Sequence, residues 1–148
     1  MTESVQIAVH AQYIRDFSFE NPHAPHVFSL MKTAPELDIG VNIQTQALED
    51  GAHEVVLLLK LEAKFEEKTA FIGELAYAGV FGFPEIPEEQ LKAFLLIEAP
   101  RLLFPFARSI IANAVRDGGF PPVLINPIDF AALYQQQQVQ NKTPVNEA

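Results

Sequence analysis

Between Val5 and Glu20 apolar side chains recur at every second position. Val5, Ile7, Val9, Ala11, Tyr13, Phe17 and Phe19 share one face, and Gln6, His10, Gln12, Asp16, Ser18 and Glu20 the other. This period of two predicts a strand covered on one side. Only Ile14 and Arg15 break it. At about 3.3 Å per residue the stretch would reach roughly 50 Å. That is more than a small monomer can cover, so the segment is expected to bend or to run beyond its own subunit.

Asn21-Pro22-His23-Ala24-Pro25 ends this strand, because proline offers no ladder donor and pushes the residue before it out of helical backbone. A loop to about Pro35 follows. From Glu36 to Gln46 the alternation is unbroken, with Leu37, Ile39, Val41 and Ile43 inward against Asp38, Gly40, Asn42 and Gln44. Asp50-Gly51 is a hairpin dipeptide. Glu54 to Lys64 is the third strand, and its middle, Val55 to Leu59, is apolar on both faces. Such a strand lies at the centre of its sheet, or its outer face meets another subunit. Glu66-Glu67-Lys68 makes the next turn, and Thr69 to Phe81 is a fourth strand with Phe71, Leu75, Tyr77 and Phe81 opposite Ile72 and Glu74. Short connections make strands two to four an antiparallel meander.

Gly79 to Pro84 breaks the strand pattern, and a long connection is expected to about Pro100, with a short helix starting at Pro87-Glu88-Glu89. A helix then runs to Arg116, with Pro105 in its first turn or at a kink, and Gly118-Gly119 followed by Pro121-Pro122 stops it. Its stripe of Phe106, Ala107, Ile110, Ile111, Ala114 and Val115 is wider than one sheet contact needs. It suits either a deeply buried helix or one pressed between its own sheet and a second subunit. The last helix has Asn126 as N-cap, Pro127 at the first helical position and Asp129 at the third. Asn141 to Ala148 is expected to form a flexible tail after a single domain over residues 1–140. The predicted fold class is α+β, a four-stranded antiparallel sheet with two main helices.

Composition narrows the function. The 148 residues include 10 basic and 19 acidic side chains, a net charge of −9, which argues against nucleic acid and for any charged partner being basic. No cysteine is present, so thiol chemistry and disulfides are excluded and a reducing, cytoplasmic setting is expected. No apolar run approaches the ~18 residues of a membrane span. Met1-Thr2-Glu3-Ser4 does not read as a signal peptide.

Catalytic motifs are missing. There is no nucleophile elbow, P-loop or His-Glu-x-x-His. His23-x-x-His26 is the one metal-like spacing, and its prolines favour a rigid loop, so no metal and no cofactor are expected. Glu66-Glu67 and Glu88-Glu89 sit at turns and helix starts as solvated acids, which leaves no anchor for an enzyme. The aromatics are more suggestive. Phe81, Phe83 and Phe94 lie in or beside the long connection, and Phe130 and Tyr134 on the last helix. They read either as a plug over the core or as the lining of a groove that accepts apolar side chains of an extended polypeptide.

Phe17-Ser18-Phe19-Glu20-Asn21-Pro22, Ala24-Pro25, Glu54-Val55-Val56-Leu57, Thr69-Ala70-Phe71, Ala78-Gly79-Val80-Phe81, Leu103-Phe104-Pro105-Phe106-Ala107-Arg108, Gly119-Phe120-Pro121 and Phe130-Ala131-Ala132-Leu133-Tyr134 occur in this order. The set, from about Val5 to Tyr134, resembles SecB, the bacterial protein-export chaperone family. The resemblance implies a non-enzymatic, ATP-independent holdase of the cytoplasm that keeps unfolded precursors competent for translocation and passes them to the SecA ATPase. It also implies helices packed on one sheet face and a homotetramer built as a dimer of dimers, with first strands paired across one interface. Long helices would meet across the other, here at Phe106, Ile110, Ile111 and Ala114.

By motif, the family's SecA contact falls on Asp16, Glu20, Ile72 and Glu74. Tails in the family also touch SecA, whereas Gln135 to Ala148 has Glu147 as its only acid. Two other readings remain open. One is a small-ligand-binding or enzymatic α+β oligomer that uses the Phe-lined cleft, and the other a dedicated chaperone of a single client such as an antitoxin.

Overall fold

A computed structural model describes residues 7–142, with side chains to residue 136. Four strands, β1 (Ala8–Glu20), β2 (Glu36–Ala47), β3 (Ala52–Phe65) and β4 (Lys68–Gly82), form one antiparallel sheet in the order β1-β4-β3-β2. The doubly apolar β3 is accordingly an interior strand, flanked by β2 and β4. Leu57, Leu59 and Leu61 of β3 face Tyr77, Leu75 and Gly73 of β4, and all three leucines are buried.

The first strand departs from its predicted single face. Val9 pairs with Phe81 and Ala11 with Val80, so His10 is extra; Ile14 pairs with Tyr77 and Asp16 with Ala76, so Arg15 is extra. Each bulge inverts the side-chain alternation. Phe17 and Phe19 point into the core side with Leu75 and Gly73, whereas Tyr13 and Ala11 lie on the outer face with Ala78 and Val80. Ile14 and Arg15, the two residues that broke the sequence pattern, are the bulge.

A short helix α1 (His26–Leu30) follows β1, and its Val27 is buried. Across the sheet lies a continuous helical run of α2 (Glu88–Ala93), a wide π-helical segment at Phe94–Glu98 and α3 (Ala99–Asp117). The expected long connection is therefore mostly helix, and Pro105 lies inside α3 rather than at its start. The widening precedes Pro100, whose ring would press on the Leu96 carbonyl in a regular helix. Leu103, Ala107, Ile111 and Val115 of α3 pack onto β3 and β4.

The end of α3 is held by aromatic rings. Gly118 and Gly119 terminate the helix, Gly119 at φ 96°, with amides bonded to Ala114 and Arg116 carbonyls. A side chain on either glycine would collide with Phe19 or Phe28. Phe19 stacks on Phe71 at 5.5 Å, and tilted pairs continue the chain of rings, Phe71 to Phe120 at 4.8 Å and Phe120 to Phe28 at 5.2 Å. Asn21 Nδ2 donates to the Gly118 carbonyl at 2.9 Å and ties the end of β1 to the same place.

From Phe120 the chain crosses as an extended strap to Asp129. Phe120 and Ile125 are buried, and Leu124 between them is 75% exposed. Helix α4 (Phe130–Lys142) is capped by Asp129, not by Asn126. Asp129 Oδ1 accepts from the Ala132 amide at 3.0 Å, the side-chain cap that shields an otherwise unpaired donor. Ile128 and Leu133, both packed on the core, take the two positions of an apolar staple around that cap. The first two residues of the predicted tail are helical here, and residues 143–148 lie outside the described residues.

Phe65 pairs with Lys68 across a two-residue turn in which Glu66 and Glu67 both have positive φ, 50° and 65°. Such tight hairpin turns favour Asn-Gly, because a Cβ crowds the following carbonyl oxygen in this backbone region, and glycine has none and asparagine tolerates it. Replacing Glu66-Glu67 by Asn-Gly is expected to stabilise the fold by about 1 kcal/mol, read as a higher urea midpoint with an unchanged slope.

Candidate partner-binding surfaces

The two sheet faces divide the chemistry. On the outer face the strand register forms rungs across β2, β3, β4 and β1: Asn42, Leu58, Ala76, Asp16; then Gly40, Lys60, Glu74, Ser18; then Asp38, Glu62, Ile72, Glu20. Asp16, Glu20, Ile72 and Glu74 thus occupy neighbouring positions on two adjacent strands. Glu20 sits directly opposite Ile72, and Glu74 opposite Ser18. Asp16, Glu20 and Glu74 are exposed and Ile72 is half-buried, giving an acidic surface with an apolar centre. A shallow depression of about 360 Å³ opens here over Leu58 and Ala76, between Asp16, Glu74, Lys60 and Asn42.

Beside this patch lies a polar cluster that sequence reasoning missed. Glu54 is the one buried charged residue among the described residues. Its Oε1 accepts from Arg15 Nη1 at 2.9 Å, and its Oε2 accepts a hydrogen bond from the Tyr13 hydroxyl. To reach β3 from β1 the phenol crosses β4 where β4 carries Ala78, directly opposite Tyr13. The small residue makes the crossing possible. In the sequence Glu54 heads an apolar run and opens one of the family motifs, but contact across an intervening strand leaves no local sequence signal of its partners.

The helix-side face presents apolar groups. Phe81, Phe83 and Phe94 form a chain of rings with centroids 6.5 and 6.1 Å apart, and His53 meets Phe83 edge-on at 5.7 Å. The helix α4, which carries Phe130 and Tyr134, packs on the π-helical segment that carries Phe94. The five aromatics of the predicted groove therefore lie on adjoining elements but are not equally accessible. Phe81 and Phe130 are fully buried, Phe130 edge-on to Phe104 at 6.1 Å, and are floor rather than lining. Phe83, Phe94 and Tyr134 are half-buried and can be touched.

The α3 stripe splits in the same way. Phe106 is 50% exposed and stacks on Tyr77 at 6.2 Å, and Ile110 and Ala114 are half-buried. Ile111 belongs to the core at 2% exposure, so it cannot serve as an interface residue. Leu102, which extends the helix stripe, is exposed as well, and Val9 and Ile14 add apolar surface on the sheet edge. His23 and His26 line a separate hollow with Glu66 and Lys68, and among the described residues no three metal-ligating side chains converge.

A one-sided sheet with an acidic outer face and aromatic, partly exposed helices defines a protein-binding module. The family model described as preprotein translocase subunit SecB matches residues 1–141. The chain is 50% identical to the protein-export protein SecB of Rhodospirillum centenum over 137 residues, covering 92% of this chain and 82% of that one. It is 47% identical to that of Zymomonas mobilis over 148 residues, covering 97% and 90%. A solved SecB-like chaperone from Mycobacterium tuberculosis, in complex with a peptide of the HigA1 antitoxin, superposes with a TM-score of 0.67 over 82% of this chain and 87% of that one. Its sequence identity of 14% makes this a likeness of fold. The protein belongs to the SecB family of protein-export chaperones.

Burial and the bond to Glu54 raise the pKa of Tyr13 above its ordinary value, with the nearby Glu54 charge acting the same way. A phenol whose folded pKa lies above its unfolded one contributes stability that is complete below about pH 10 and is lost as pH rises through the folded value. Stability is expected to fall more steeply above about pH 10 in the native protein than in Tyr13→Phe, as measured by urea unfolding across alkaline pH.

Proposed function

We propose that this chain is an ATP-independent holdase that binds unfolded precursor polypeptides in the cytoplasm and delivers them to the SecA ATPase, acting as a homotetramer. The observation that carries the reading is the separation of chemistry between the faces. Apolar side chains exposed on the helix side suit an unfolded chain, and the acidic rungs on the other side suit a basic partner. A holdase must expose apolar surface without aggregating, and a net charge of −9 opposes indiscriminate aggregation.

In this reading Phe83, Phe94 and Tyr134 contact client side chains over a floor of Phe81 and Phe130. Phe106, Ile110 and Ala114 meet a second copy of the chain, and Asp16, Glu20, Ile72 and Glu74 dock SecA. Membership of the family, whose named relatives are export proteins, supports the SecA hand-off; the exposed Phe106 and Leu102 support self-association. No catalytic step is involved. Binding and release of the client are the whole activity.

The direct test is size-exclusion chromatography with light scattering, without nucleotide, of the protein alone and with a slow-folding precursor diluted from denaturant. A tetramer-sized assembly that retains the unfolded precursor and ignores its native form is expected. A monomer that passes unfolded chains by would overturn the reading. Phe83→Ala and Tyr134→Ala are each expected to weaken client binding about five- to tenfold, with the oligomer unchanged. Glu20→Lys with Glu74→Lys is expected to abolish SecA binding and leave client binding intact, measured by calorimetric titration with each partner.

A further inference from the structure

Lys60 stands at the middle of the outer face. On the three rungs that carry Asp16, Glu20, Ile72 and Glu74 there are five carboxylates, Asp38 and Glu62 being the others, and Lys60 is the single cation. Its Nζ lies 3.6 Å from Glu74 Oε1, with the two side chains 63% and 55% exposed. Its rung neighbour on the other side is Gly40, which offers no side chain to hold it. Lys60 is also among the residues that line the depression over Leu58 and Ala76.

We propose that Lys60 is a specificity-determining residue of the docking face: it serves Glu74 as an internal counter-ion that a partner's arginine must displace. The inference rests on the docking role given to this face above. An exposed pair at this distance is weak and screened by salt, so it is displaceable rather than fixed. A guanidinium lying on Leu58 and Ala76 can address Asp16 and Glu74 through its planar fork, with geometry that an ammonium cannot match. A partner lysine gains little by exchanging one ammonium for another. The internal lysine therefore lowers affinity for basic chains in general and favours those that present arginine at this point.

The test is calorimetric titration of SecA into the native protein and into Lys60→Gln, Lys60→Arg, Glu74→Gln and the Lys60→Gln/Glu74→Gln double variant, at about 50 and 500 mM salt. Lys60→Gln is expected to tighten binding about threefold at low salt and to have no effect at high salt, while client binding is unchanged. The gain should shrink in the Glu74→Gln background, and Lys60→Arg should bind as the native protein or more weakly. A neutral or weakened Lys60→Gln, or a gain that persists in full without Glu74, overturns the proposal. If Glu74→Gln itself leaves SecA binding unchanged, the docking reading fails and this inference falls with it. If Glu74→Gln weakens binding and Lys60→Gln does nothing, only the role of Lys60 is refuted.

Discussion

The parity of the first strand governs what both faces of the sheet can do. A strand without bulges would keep Tyr13 and Phe17 on the same side, and the phenylalanines that close the core would carry Tyr13 with them. The extra residue at Arg15 separates the two sets. Phe17 and Phe19 turn inward and complete the ring cluster that holds the end of α3, while Tyr13 turns outward to Glu54. Asp16 and Glu20 follow Phe17 and Phe19 in antiphase, so packing of the core is also what sets these acids on the outer face.

Much of this architecture was legible because the physics that sets it is local. Alternation located β2, β3 and β4 to within two residues at each end, and Asp50-Gly51 marked its turn, both residues having positive φ in the structure. Where a long-range contact decides, the sequence was mute. The two bulges in β1 depend on pairing with β4 some sixty to seventy residues away. Asn126 and Asp129 are equally good caps on paper, and the burial of Ile125 and Phe130 selects the second.

The candidate surfaces follow the same rule. That Asp16, Glu20, Ile72 and Glu74 would share a face follows from period two within each strand, once β1 is paired to β4. Which aromatics stay reachable depends on what other elements cover, so Phe81, Phe130 and Ile111 could not be told from Phe83, Tyr134 and Ile110 by residue type and spacing. Glu54 is the extreme case: its partners sit on a strand that does not touch its own.

The strap between Phe120 and Asp129 is a surface ordered before any partner arrives. Leu124 projects into solvent, yet its backbone is anchored by buried Phe120 and Ile125 and stiffened by Pro121, Pro122 and Pro127. The conformational freedom of this segment is surrendered when the protein folds. A polypeptide that packs against Leu124 must lose its own entropy, but it does not have to order the surface that receives it. For a ligand that is itself a fluctuating chain, that asymmetry leaves only one side's entropy to be lost.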